Sequence, residues 1–99
     1  MTDNDLLTML EWNLEIITDY MDQQSATQKE TELMFYIQSA KEFITREGIT
    51  LTDSVGDAQL VVMYSAWLYE KRKAPESNQS MPRMLRWNLN NRLFEEKIA

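Results

Sequence analysis

Apolar residues recur along most of this chain at intervals of three and four, the spacing that keeps one face of a helix dry. In the opening stretch Leu6, Leu10, Leu14, Ile17 and Met21 form one stripe, about 80° wide at ~100° per residue. Met9, Trp12, Ile16 and Tyr20 make a second stripe beside it. Thr2-x-x-Asp5 precedes both and matches the capping pattern that opens a helix. A second periodic run follows at Leu33, Ile37, Ala40 and Ile44, with Tyr36 and Phe43 alongside. Arg46 suits its carbonyl end, and Gly48 is a left-handed terminator onto which Ile49 can fold back.

The third run, residues 60–69 (LVVMYSAWLY), is apolar on nearly every face. A buried β-branched strand is the competing local reading. Beyond Gly56, however, no Gly or Pro occurs before Pro75, and that is too long for an ordinary strand. The stretch therefore reads as a long central helix, with Ser54 or Asp53 as its cap and Asp57 in its first turn. Ser65 and Ala66 are small enough to let another helix approach closely, whereas Trp67 and Tyr69 suit a core edge or an interface equally. The last run carries two rows, Leu85, Leu89 and Leu93 in one, and Met84, Trp87, Phe94 and Ile98 in the other. Pro82 stands at its start, where a missing N–H costs nothing.

These patterns predict an all-α fold of four helices near residues 4–21, 28–47, 54–73 and 82–96. The polar DQQSATQ of residues 22–28 is read as a loop, and APESNQS of residues 74–80 as a linker stopped by Pro75. The chain of 99 residues then forms one domain: a helical core over 1–73, a linker over 74–81 and a C-terminal docking helix over 82–99. Residues 49–53 (ITLTD) alternate like a strand but have no partner strand. Two Gly and two Pro argue against a turn-rich β-sandwich or barrel.

Charge divides the chain. Residues 1–53 hold eleven acidic and three basic side chains, net −8, and residues 54–99 hold five and seven, net +2. Glu11, Glu15, Asp19 and Asp22 share the polar face of the first segment. They read as a solvated face, or as a surface past which DNA moves without sticking. Arg83, Arg86 and Arg92, with Asn88, Asn90 and Asn91, occupy the polar positions of the last helix. They read as solvated, or as a basic end that docks an acidic partner. An acidic chain is poorly suited to gripping nucleic-acid phosphates.

With no Cys and no His, disulfides, zinc sites and imidazole bases are impossible. Carboxylate pairs such as Glu11/Glu15 arise by chance in an acidic helical chain, and no base, nucleophile, metal ligand set or cofactor loop stands out. The reading is therefore not an enzyme, with no cofactor. The start, MTDNDLL, lacks the features of a secretory signal, and the apolar run closes with EKRK before reaching bilayer length, so no membrane role is expected.

Three stretches together resemble the small head–tail connector (adaptor) proteins of long-tailed bacteriophages. Residues 33–48, LMFYIQSAKEFITREG, look like that family's L-x-x-x-I-x-x-A-x-x-x-I helix with its closing Gly. Residues 57–72, DAQLVVMYSAWLYEKR, are similar to its apolar helix ending in Tyr and Arg. Residues 81–94, MPRMLRWNLNNRLF, are similar to its Pro-initiated closing segment. The first 28 residues depart from the family in a longer amphipathic opening and an uncharged turn. The resemblance implies a structural protein of the virion head–tail junction, made in the host bacterial cytoplasm. About a dozen copies would form a ring on the portal protein, lengthen the DNA channel and receive a stopper or tail completion protein. On that reading Met9, Trp12, Ile16, Tyr20, Tyr64 and Trp67 meet a neighbouring copy. Arg83, Arg86, Trp87, Arg92 and Phe94 contact the portal, and Glu11, Glu15, Asp19 and Asp22 face the channel. The rival reading is a small acidic phage regulator that binds a host protein or mimics DNA.

Overall fold

The computed structural model describes residues 2–16, 21–73 and 81–98. They form four helices, α1 (Asp3–Asn13), α2 (Gln23–Arg46), α3 (Val55–Lys73) and α4 (Arg83–Ile98), and among the described residues there is no strand. The all-α class follows from the sequence periodicity. Residues 49–53 run as an irregular connector, with Ile49 inserted into the core.

α1 opens with the expected reciprocal cap. The Asp5 N–H donates to Thr2 Oγ1, and the Thr2 N–H to Asp5 Oδ2, each at 3.2 Å. It ends well short of residue 21. Glu15 stands in the left-handed region at φ 57°, which turns the chain. The Ile16 N–H then donates to Glu11 O at 2.9 Å and the Glu15 N–H to Trp12 O at 3.2 Å. Those two bonds make a complete Schellman terminator, built on a residue type that resists it. The turn lets Ile16 pack on the core instead of continuing a straight stripe. Glu15→Gly is therefore expected to stabilise the chain by about 0.5–1 kcal/mol, because glycine adopts this conformation without a Cβ clash. Urea denaturation midpoints would test it; an unchanged or lower midpoint would mean that Glu15 carries a compensating interaction.

α2 begins earlier than its hydrophobic pattern indicates. Asp22 is its cap, with Oδ1 accepting the Ser25 N–H at 2.7 Å, so the polar residues 23–28 form helix rather than loop. Nothing in that stretch breaks a helix, and Asp is among the strongest caps. From there Leu33, Ile37, Ala40 and Ile44 are buried as the spacing predicts. Gly48 ends the helix at φ 101°, its N–H donating to Thr45 O at 3.0 Å.

α3 packs against each of the other helices, whereas α4 packs mainly on α3. It is central but not apolar all round, and α2 is the longer helix. Ala58, Leu60, Val61, Val62, Tyr64, Ser65 and Tyr69 are buried, while Gln59, Glu70, Lys71 and Arg72 are exposed. Ser65 lies at the crossing with α2. Its hydroxyl donates to Val61 O at 2.7 Å, with Tyr36 O of α2 at 3.5 Å, so a small polar residue is buried with its donor satisfied. At the far end Lys29 of α2 donates to the Tyr69 hydroxyl at 3.2 Å and lies over that ring. Arg72 pairs with Glu32 beside it. Leu6 and Leu10 anchor α1, and Lys41 of α2 pairs with Asp3 at its start.

Candidate functional site

The residues singled out by the sequence separate into a buried charge cluster, a half-buried aromatic group and an exposed apolar surface. The charge cluster joins α3 to α4. Ser54 caps α3 by accepting the Asp57 N–H at 3.1 Å, which sets Asp57 in the first turn facing inward. Its carboxylate accepts the Thr52 N–H and the Thr52 hydroxyl, each at 2.8 Å. Arg92 of α4 completes it: Nε donates to Asp57 Oδ1 at 2.8 Å, Nη2 to Thr50 O at 2.6 Å and Nη1 to Glu96 Oε2 at 3.0 Å. The Asp57 side chain is 5% exposed and that of Arg92 18%. Burial alone would push Asp57 up, but the bonds from Arg92 and Thr52 outweigh it and hold the carboxyl below its ordinary value. A hydrogen bond from Thr50, with the Arg92 guanidinium, lowers Glu96 likewise.

This overturns the placement of Arg92 among outward-facing docking residues. Arg92 lies three residues after Leu89 and seven after Leu85, on the face that packs against α3. The spacing was the available signal, and its charge masked it. A polar cleft of about 570 Å³ opens beside the cluster, lined by Gln59, Asn88, Asn91 and Glu95 among others. Thr52 and Ser54 line it too, their hydroxyls 3.1 Å apart and that of Thr52 2.8 Å from Asp57. Among the described residues no group of three or more carboxylates is placed to hold a metal ion.

The aromatic group runs along α2 and α3. Tyr64 is buried, stacked on Phe43 at 6.0 Å between centroids and edge-on to Trp67 at 5.6 Å. It is committed to its own chain rather than presented to a neighbouring copy, as the sequence reading had it. Burial, reinforced by Glu47, pushes its hydroxyl up. Trp67 is half-buried under Lys71, and its indole N–H meets no acceptor among the described residues. Tyr69 belongs to the core.

Glu11, Glu15 and Asp22 do not share one helical face. Glu11 lies on α1, Glu15 sits in the left-handed turn beyond it, and Asp22 caps α2. Asp19 and Tyr20 lie outside the described residues. The break at Glu15 separates what a continuous helix would have aligned.

The third group is exposed. Trp12 is 75% exposed beside Met9, over a shallow apolar groove floored by Val62 and Met63. On α4, Met84, Trp87, Phe94 and Ile98 are each between 61% and 68% exposed. Arg83 and Arg86 are exposed on the same helix. No helix among the described residues is long and apolar enough to cross a membrane. No family model, no curated protein and no solved structure matches this chain.

Proposed function

We propose that this chain is a non-enzymatic assembly protein of the phage head–tail connector type, acting through protein surfaces rather than a chemical site. The observation that carries the reading is the exposure of Trp12, Phe35, Trp87 and Phe94, large aromatic side chains on three of the four helices. A small chain rarely leaves so much aromatic surface uncovered unless other proteins cover it. In this reading Met9, Trp12, Ile16 and the edge of Trp67 meet a neighbouring copy, and repetition of that contact closes a ring. Arg83 and Arg86, with Trp87 and Phe94, form the end that meets the portal. Arg92 has no part in docking, because its guanidinium is engaged inside the chain.

The rival reading as a DNA mimic draws less support. Several carboxylates are matched by cations of the same chain: Asp3 with Lys41, Glu32 with Arg72, Glu42 with Arg46, and Asp57 and Glu96 with Arg92. A mimic needs an unpaired acidic array. Negative-stain electron microscopy of the chain mixed with a phage portal protein tests the connector reading. Ring-shaped particles seated on the portal are expected, and Trp12→Glu is expected to abolish them while leaving the circular dichroism unchanged. A chain that neither binds the portal nor forms rings at high concentration would sink the proposal.

A further inference from the structure

The outer row of α4 has a spacing that general stickiness does not require. Met84, Trp87, Asn91, Phe94 and Ile98 follow one another at intervals of three, four, three and four. That is the a/d seam of a two-stranded coiled coil, with a single Asn at its central a position. At ~100° per residue the row lies on the far side of the helix from Leu85 and Leu89, so one helix carries two apolar faces. The inner face packs on α3, and the outer one faces solvent. We infer that in the free chain the outer face is covered by the same face of a second copy, the two α4 helices running parallel about a two-fold axis.

Three observations select that occupant. The first is area: at the exposures given, the four apolar side chains leave roughly 500 Å² uncovered per copy. Pairing would bury roughly 1,000 Å² before the flanks are counted, about where specific interfaces begin. The second is self-complementarity, since a 3–4 seam is filled by a helix with the same seam, and a second copy has one in register. A parallel arrangement sets Asn91 against Asn91 of the second copy, and an amide both donates and accepts, so each satisfies the other. The third is charge along the flanks. In parallel register Arg83 faces Asn88 of the second copy and Asn90 faces its Glu95, so no like charges meet. An antiparallel pairing centred on the row brings Arg83 toward Lys97 instead.

A seam of two heptads is too short to hold isolated peptides together, because each helix would have to be ordered on association. Here α4 is already ordered against α3 through Leu85, Leu89 and the Asp57–Arg92 bonds, so that cost falls on folding rather than on pairing. The inference goes beyond the connector reading and does not depend on it. If both hold, the pair must open before Trp87 and Phe94 can meet a portal.

Sedimentation equilibrium of the isolated chain, over roughly 1 to 100 µM, reads the pairing directly. A monomer–dimer equilibrium within that range is expected. Phe94→Glu is expected to weaken it at least tenfold while leaving far-ultraviolet circular dichroism unchanged, and the melting temperature unchanged at concentrations where both chains are monomeric. Because the chain has no cysteine, Asn91→Cys supplies one thiol at the seam. Oxidation should link two copies through it, as parallel register brings the two α-carbons within disulfide reach, whereas Arg86→Cys on the flank should not link. A chain monomeric throughout the range overturns the inference, whether or not its tryptophan emission shifts on anionic lipid vesicles. So does a dimer indifferent to both Phe94→Glu and Trp87→Glu. A dimer lost in Phe94→Glu but not linked through Asn91→Cys overturns the parallel register. Since no portal is present in these measurements, their failure leaves the connector reading standing, and its failure leaves theirs.

Discussion

Reversing the charge at Arg92 is expected to bring the whole chain close to unfolding. Arg92→Glu removes the partner of a buried carboxylate, sets a second negative charge beside it and leaves Thr50 O without its donor. Breaking a buried pair from one side costs about 3–5 kcal/mol, because the surviving charge is left dry and uncompensated. Domains of this size have only about 5–15 kcal/mol in total. Reversing Arg83 and Arg86 together is the control. Both are exposed, and surface changes of that kind usually move stability by only about 0.5 kcal/mol each. Urea denaturation followed by circular dichroism separates the cases, and equal midpoints for the two variants would show that the Arg92 bonds contribute little.

The same cluster predicts an acid limb. Asp57 is held below its ordinary value in the folded chain. A carboxyl depressed by folding contributes stability that is fully present above its unfolded value, near pH 4, and is lost as the pH falls through the folded value. The wild-type chain should therefore lose stability below about pH 4. Asp57→Asn, less stable at neutral pH, should lose less on acidification, and the two curves should converge at low pH.

The other large effect is expected at Leu10, whose side chain is fully buried where α1 meets the core. Leu10→Ala leaves a cavity there, at a cost of about 2–5 kcal/mol. The damage should fall unevenly. α1 has 11 residues, too few to remain helical by itself, and only Leu6 and Leu10 are buried within it. Hydrogen exchange should show α1 amides approaching unprotected rates while those in the middle of α2 and α3 stay protected. A uniform loss of protection would instead make α1 part of one cooperative unit with the rest.

Much of this architecture can be read without coordinates. The four helices follow from near-neighbour spacing. The Thr2–Asp5 cap and the Gly48 stop follow from residue chemistry at fixed offsets. Leu33, Ile37, Ala40 and Ile44 follow from a period of 3.6. Boundaries were less legible where a local preference was overridden. Periodicity carries the first helix to residue 21, whereas the chain turns at Glu15, a residue type that seldom adopts positive φ. Residues 23–28 looked like loop for want of apolar positions, yet Asp22 is a sufficient cap and no breaker follows.

The surfaces were legible in composition but not in assignment. That Tyr64, Trp67, Trp87, Phe94, Arg83 and Arg92 sit on helical faces is local information. Which of those faces is dry is not local, since it depends on contacts between residues far apart in the chain. Arg92 and Asp57 are 35 positions apart and meet only because α4 lies across the first turn of α3. Phe43 and Tyr64 stack only because α2 and α3 cross there. Propensity, capping and periodicity act within a few residues, so the helical segments, the buried row of α2 and the 3–4 row on α4 can be read from the chain alone. That Tyr64 and Arg92 face inward while Trp12, Trp87 and Phe94 stay outside follows from which helices lie against one another, and that rests on contacts between residues far apart in the chain.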